Sequence, residues 1–195
     1  MLIMTLALCV AAYIAGSVNF SIIVFRMLGR DDPRYQFSGT AGTTNVYRQA
    51  GLFWASVVFI LDLGRALAVS WAALYLLPIH NVPWVGLALI MGNRFPCFHQ
   101  FRGGKGVAAY LGFTILISPL SAVLSTIIWL IVYGIVRIPF VASFFMTFML
   151  MAGTISACGF QIAATAGTVA TFIFIIYNHK RNVTELFSSL PSDKG

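Results

Sequence analysis

Gly103, Gly104 and Gly106 surround Lys105 in the run Phe101-Arg102-Gly103-Gly104-Lys105-Gly106-Val107, with Arg102 just ahead of them. Glycines let the backbone fold tightly with several N–H groups turned inward as an anion nest, and the lysine adds a mobile point charge, so the chemistry this run suits is phosphate handling. A plainer reading is a basic turn drawn to anionic lipid. It is no nucleotide-hydrolysing loop, because Gly106 follows Lys105 where a magnesium-binding Ser or Thr is required. A second run, Ser38-Gly39-Thr40-Ala41-Gly42-Thr43-Thr44-Asn45, is dense in hydroxyl and amide groups and is followed by Arg48. Such groups hold polar oxygens, although Ser and Thr serve equally as turn formers and helix caps. The tail adds Asn178-His179-Lys180-Arg181-Asn182, with Glu185 one helical turn beyond Arg181 and able to pair with it.

Several reaction classes are excluded by what these residues lack. Three histidines and five acidic residues, scattered over separate segments, offer no spacing such as H-E-x-x-H, so neither a metal nor another cofactor is expected. There is no G-x-S-x-G elbow, and no histidine has an aspartate five residues later, the H-x-x-x-x-D arrangement of many thioester-dependent glycerolipid acyltransferases. Any catalysis must rest on positioning and electrostatics.

The elements that position these groups are membrane spans. The chain of 195 residues is 59% hydrophobic and only 9% charged, which predicts one all-α polytopic membrane domain over 1–195. About 20 helical residues cross the ~30 Å hydrocarbon layer. Residues 2–25 predict a first span that is retained, since no basic segment precedes it as in a cleaved signal peptide. Residues 52–77 predict a second, in which Asp62 and Arg65 lie three apart on one face as a neutralising pair. The apolar stretches 81–93 and 107–118 are too short to span comfortably, which predicts that the glycine-rich loop between them is recessed and lines a polar cavity. The alternative is that both helices run on through the motif and the loop lies at the surface. Residues 120–136 predict a fifth span. The uncharged stretch 138–178 predicts two more, divided by a reversal near Gly159.

Seven spans put Arg26, Arg30, Arg34, Arg48, Arg94, Arg102, Lys105, Arg137, Lys180, Arg181 and Lys194 on one side, with Arg65 alone inside a span. The positive-inside rule then orients the amino end outside and the basic loops toward the cytoplasm. The net charge of +7 is accounted for by topology, so no nucleic-acid partner is expected. Cys9, Cys97 and Cys158 form no C-x-x-C pair and predict neither disulfide nor zinc site.

The Ser38 to Asn45 run with Arg48, the stretch Arg94-Phe95-Pro96 followed by Phe101 to Ala108, and the tail pair His179 and Asn182 together resemble the bacterial membrane glycerol-3-phosphate acyltransferases that use acyl phosphate, the PlsY type. The likeness extends over nearly the whole chain, including Gly16-Ser17 and Asp62 with a basic residue three positions on. It implies a seven-span protein of the bacterial cytoplasmic membrane with its site facing the cytoplasm. The implied reaction moves an acyl chain from acyl phosphate to the first hydroxyl of glycerol 3-phosphate, giving lysophosphatidate and phosphate, with membrane lipid as surroundings. Ser38, Lys105, His179 and Asn182 fall on positions implied to be catalytic, and Thr44, Asn45, Arg48, Arg102, Gly103, Gly104, Gly106 and Ser143 on positions implied to bind substrate or phosphate.

The chain departs from the family pattern at Thr40 in place of Asn, Asn93 in place of His, Arg102 in place of Lys and Phe140 in place of Ser. Arg181 and Glu185 reverse the order of an ion pair. Two other readings fit the same residues. One is a noncatalytic relative acting as a membrane-complex subunit or lipid-binding scaffold, and the other an organic-anion carrier built on short spans around a cation.

Overall fold

The computed structural model describes residues 1–188, which are helical with no strand among them. Nine α-helices follow in order: α1 Leu2–Ser17, α2 Phe20–Met27, α3 Thr43–Leu76, α4 Val82–Arg94, α5 Val107–Thr114, α6 Pro119–Val136, α7 Pro139–Ala157, α8 Ile162–Asn178 and α9 Lys180–Ser188. Lys194, counted among the basic groups of one side, lies outside the described residues.

Among the described residues, four segments are long and apolar enough to cross a membrane: 2–27, 43–76, 119–136 and 139–157. A fifth forms if α8 is taken with α9 across a 42° bend. By contrast α4 and α5 reach only about 20 and 12 Å, in keeping with the shortness of their apolar stretches. Neither continues through the glycine-rich run, since α4 ends at Arg94 and α5 begins at Val107. The reversal expected near Gly159 falls between α7 and α8, with Gly159 at φ +62°.

Two expected spans differ in detail. The first is interrupted at Val18 and Asn19, where the Asn19 side chain accepts the Ile22 N–H at 3.2 Å and starts α2 as a separate helix. The second begins earlier than residue 52, because Thr43 to Ala50 are already helical. Gly51, at φ +82° and ψ 179°, then redirects the helix axis.

The packing is that of a membrane bundle, with apolar side chains outward and small polar ones inward. Ile3, Trp71, Leu120 and Ile162 are exposed, whereas Ser17, Ser70, Ser125 and Thr147 are fully buried. Several of the buried threonine hydroxyls return to their own helices. Thr147, Thr154, Thr168 and Thr171 each donate to the carbonyl four residues earlier at 2.8 Å, so no polar group faces hydrocarbon unpaired there. The short α4 sits at the centre, with Val82, Val85, Leu89 and Ile90 all buried. Its backbone touches that of α1, because a Cβ on Gly92 would run into the Tyr13 carbonyl and one on Gly16 into the Leu89 carbonyl. This central placement carries the end of α4, and with it the phosphate-loop candidate, into the bundle.

Candidate active site

Two loops, 28–42 and 95–106, meet over the ends of α1 and α4. The last carbonyls of α4 find no further helical partner, and the glycine loop supplies one: Gly103 N–H donates to Arg94 O and Gly104 N–H to Asn93 O, both at 3.0 Å. Ala41 N–H then donates to Gly103 O at 3.3 Å, which joins the loops edge to edge. The contact admits no side chain at Gly104, whose Cβ would lie 2.8 Å from the Ala41 carbonyl oxygen. Gly106 begins α5 in the left-handed region at φ +92° with Ile90 pressed against it, a position that suits glycine alone.

Arg34 is the second tie between the loops. Its guanidinium pairs with Asp32 at 2.5 Å and donates through Nη1 to the His99 and Arg102 carbonyls at 2.7 Å each. Sequence reading counted Arg34 only as a topology signal. The Asp32-x-Arg34 spacing was the available clue to its structural use.

Beneath the joined loops lies a cavity of about 910 Å³. Its polar end is lined by Ser38, Thr40, Thr44, Asn45, Arg48, Gly104, Lys105, Gly106, His179 and Asn182. Its apolar end runs between α3, α5, α6 and α7 past Leu52, Phe59, Leu111, Trp129, Tyr133 and Met146. The two ends are continuous. The space thus accommodates a molecule with an anionic head and a hydrocarbon tail.

Lys105 Nζ donates to Asn182 Oδ1, which docks α9 onto the glycine loop. Burial, and then the charge of Arg48, pushes the Lys105 ammonium down to about 8, with Glu185 opposing and Arg94 and Arg181 adding to the fall. An anion entering beside it therefore meets a poorly solvated cation. His179, just beyond α8, is buried, with its Nδ1 2.9 Å from Ile175 O. A carbonyl only accepts, so Nδ1 carries the proton and Nε2 is the acceptor. Burial and the nearby Lys105 charge push this imidazole down to about 4, so it is neutral around pH 7. Phe144 meets it edge to face at 5.4 Å.

The remaining candidates are placed less directly. Ser38 and Thr40 share a hydrogen bond at 2.9 Å. Ser143 lines the cavity, but its hydroxyl donates to Pro139 O at 2.9 Å and lies 3.3 Å from Trp129 Nε1, so it also pins the indole. Asn45 contributes to the wall while its amide nitrogen lies near the Pro33, Gln36 and Thr40 carbonyls. Arg102 and Gly103 are not among the lining residues. Arg102 is exposed, and Gly103 is buried behind the loop against Asn93 and Pro96. Asp62, Asn93 and Glu185 line the cavity although the sequence does not mark them as site residues. The reversed tail pair does form, with Arg181 Nε 2.7 Å from Glu185 Oε1. No cluster of three or more metal-ligating side chains occurs among the described residues.

Residues 6–189 match the family profile described as glycerol-3-phosphate acyltransferase. Among curated relatives, the glycerol-3-phosphate acyltransferase of Methylobacillus flagellatus is 33% identical over 193 residues, covering 95% of each chain. That of Pseudomonas fluorescens is 32% identical over 183 residues, covering 93% of this chain and 95% of the relative. The crystal structure of PlsY (YgiH), an integral membrane glycerol 3-phosphate acyltransferase, in its glycerol 3-phosphate form, superposes with a TM-score of 0.87 at 30% identity over 94% of this chain and 92% of that one. Its lysophosphatidic acid form gives 0.85. With matches of this extent in sequence and in three dimensions, the chain belongs to the glycerol-3-phosphate acyltransferase family.

Proposed function

We propose that this membrane acyltransferase takes its acyl group from an acyl phosphate and delivers it to the first hydroxyl of glycerol 3-phosphate within the cavity under the two loops. The observation that carries this reading is the continuity of a cationic end, with Lys105 and Arg48, and an apolar end walled by α3, α6 and α7. Such a cavity accepts an acyl phosphate head first, with room beside the head for a second phosphate.

In the transfer, the acceptor hydroxyl oxygen forms a bond to the acyl carbonyl carbon and the bond from that carbon to the phosphate oxygen breaks. The hydroxyl proton passes to a phosphate oxygen. Lysophosphatidate and inorganic phosphate leave, and no oxidant or metal is consumed. Acyl phosphate is already activated, so the protein's part is to orient the pair and neutralise charge on the departing phosphate. Lys105, Arg48 and the Gly106 backbone take the phosphates, the Gly103 and Gly104 N–H groups being spent on the end of α4. Ser38, Thr44 and Asn182 orient the acceptor. His179, neutral and with Nε2 free of its proton, accepts a hydrogen bond from the attacking hydroxyl but is too weakly basic to hold its proton.

The same reading places seven crossings or partial crossings, α4 and α5 among them, in a bacterial cytoplasmic membrane. The basic loops and cavity mouth then face the cytoplasm and the amino end lies outside, as the positive-inside rule requires.

The direct test is phosphate release from palmitoyl phosphate by purified protein in detergent, with and without glycerol 3-phosphate, and with palmitoyl-CoA as the alternative donor. Phosphate release that depends on the acceptor, with neither CoA nor lysophosphatidate formed from the thioester, is the expected result. Equal use of palmitoyl-CoA removes the donor assignment. Folded protein that binds glycerol 3-phosphate without releasing phosphate points to the noncatalytic reading.

The Lys105 shift sets a pH dependence. Only the ammonium neutralises phosphate, and in the free enzyme it is lost as pH rises through about 8. The profile of kcat/KM, which reports the free enzyme, is expected to fall above that value. A bound phosphate favours the ammonium, so the kcat profile breaks at higher pH. Phosphate monoesters finish titrating near about 6, which leaves the alkaline limb to the protein. Coincident breaks in the two profiles would assign the limb to some group other than Lys105.

A further inference from the structure

Arg65 lies inside α3 at a depth where an unsatisfied cation is costly, and its two terminal nitrogens reach three separate elements. Nη2 is 2.8 Å from Asp62 Oδ1, one turn earlier, and donates to Asn93 Oδ1 at 3.3 Å. Nη1 donates to the Gly16 carbonyl at 3.2 Å and to that of Val18. The Phe20 ring covers the guanidinium, with its centroid at 5.3 Å.

Apart from Asp62, the polar partners are helix ends. Gly16 and Val18 carry carbonyls left over where α1 stops before α2, and Asn93 is in the last turn of α4. One buried cation thus offsets the free carbonyls at the end of α1 and holds a side chain in the last turn of α4. The same ends hold the loops. From the break after α1, Ser17 Oγ accepts the Cys97 N–H at 3.2 Å and Asn19 Nδ2 donates to Ala41 O at 3.3 Å. From the end of α4, Asn93 O accepts the Gly104 N–H at 3.0 Å. Both loops therefore hang from points that Arg65 fixes.

We infer that Arg65 is a positioning residue for acyl transfer: by clamping the α1 break to the end of α4 it sets the two loops at the height that holds Lys105 over the cavity. The inference rests on the acyl-transfer reading for its rate effect, but its structural consequence can be read without turnover. A pair that merely neutralises itself within the bundle predicts neither effect.

The test uses the full chain carrying Asp62→Asn with Arg65→Gln, which leaves no orphan ion in the bundle. Arg65→Lys keeps the charge with three donors on one nitrogen in place of the fork, and serves as the rescue. In the double variant kcat for acceptor-dependent release is expected to fall about a hundredfold, the scale of an ångström's misplacement, while KM for palmitoyl phosphate stays within about threefold. Arg65→Lys is expected to recover most of that loss.

The second readout is the titration of Lys105 by competitive amine labelling, resolved by peptide mass spectrometry. Arg48, Arg94, Arg181, Glu185 and His179 surround Lys105 and are untouched by the variant. A loosened loop is expected to move the lysine from about 8 back toward its ordinary 10.5. Unchanged kcat in folded double variant overturns the inference, and so does a fallen kcat with Lys105 titration unmoved. If the unmodified protein releases no phosphate, the acyl-transfer reading fails while the labelling still decides what Arg65 does. Should the double variant not fold, Asn93→Ser cuts the link from Arg65 to α4, and because Asn93 also lines the cavity the Lys105 titration is the readout that decides there.

Discussion

Replacing Lys105 by alanine is expected to lower acceptor-dependent phosphate release by at least a few hundredfold while the melting temperature in detergent stays within a few degrees. The rate effect follows from removing a charged donor where the departing phosphate gathers charge, which costs about 2–4 kcal/mol of transition-state stabilisation. The fold is spared because the loop backbone does not depend on this side chain. Gly103 and Gly104 are held by the last carbonyls of α4, and Ala41 is held by Gly103. What the variant loses structurally is the bond to Asn182. It also loses a half-buried cation crowded by Arg48, Arg94 and Arg181, which is a relief rather than a cost. Inorganic phosphate titrated into the folded variant supplies the companion measurement, with weakened binding expected. Full activity in Lys105→Ala would remove the role given to it.

What the sequence made legible follows from what hydropathy and spacing report. A lysine among glycines is conspicuous in a chain this apolar, and the shortness of its flanking stretches correctly indicated helices, α4 and α5, that stop at the motif. The turn at Gly159 was equally plain, because within the uncharged stretch 138–178 small and polar residues collect there between two apolar runs. Hydropathy measures how much of the chain prefers lipid, however, and not whether its helix is continuous. The break at Val18 lies in a run, Gly16-Ser17-Val18-Asn19, too short to interrupt the apolar stretch around it, and its local signal is Asn19 as a helix start. The early start of α3 was masked in the opposite way, since Thr43, Thr44 and Asn45 favour loops and caps on intrinsic grounds and are helical here because Gly51 lets the chain turn afterward.

Within the site, motif membership did not distinguish inward from outward. Gly103 and Gly104 both spend their N–H groups on the end of α4, yet Gly103 faces away from the cavity and Gly104 lines it. Contacts across sequence distance were also hidden. Nothing in the spacing of Arg34 and His99, or of Arg65 and Gly16, announces that one holds the other.

The second large effect is expected at Asn45, where alanine should cost on the order of 3 kcal/mol of stability and about a hundredfold in kcat/KM. Its side-chain nitrogen lies 2.7 Å from Pro33 O, 2.9 Å from Thr40 O and 3.2 Å from Gln36 O, so two amide hydrogens serve three carbonyls of loop 28–42. The residue is 1% exposed, so water cannot simply take over those bonds. Each carbonyl left without a donor costs about 1–3 kcal/mol, and the loop recovers part of that by opening. Opening is what damages function, because this loop carries Ser38 and Thr40 to the cavity and meets the glycine loop through Ala41. Asn45→Asp discriminates between size and hydrogen bonding: it keeps the shape but turns an acceptor toward three acceptors, and is expected to be at least as damaging as alanine. Ser38→Ala, by comparison, should slow the reaction without lowering the melting temperature, since its one hydrogen bond is to the neighbouring Thr40 hydroxyl. Melting curves and kcat/KM for the three variants check the ordering. An Asn45→Asp protein as stable and active as the unmodified chain would show that the other ties of loop 28–42, from Arg34, Arg30, Gln49, Asn19 and the Ala41 bridge, suffice to hold it.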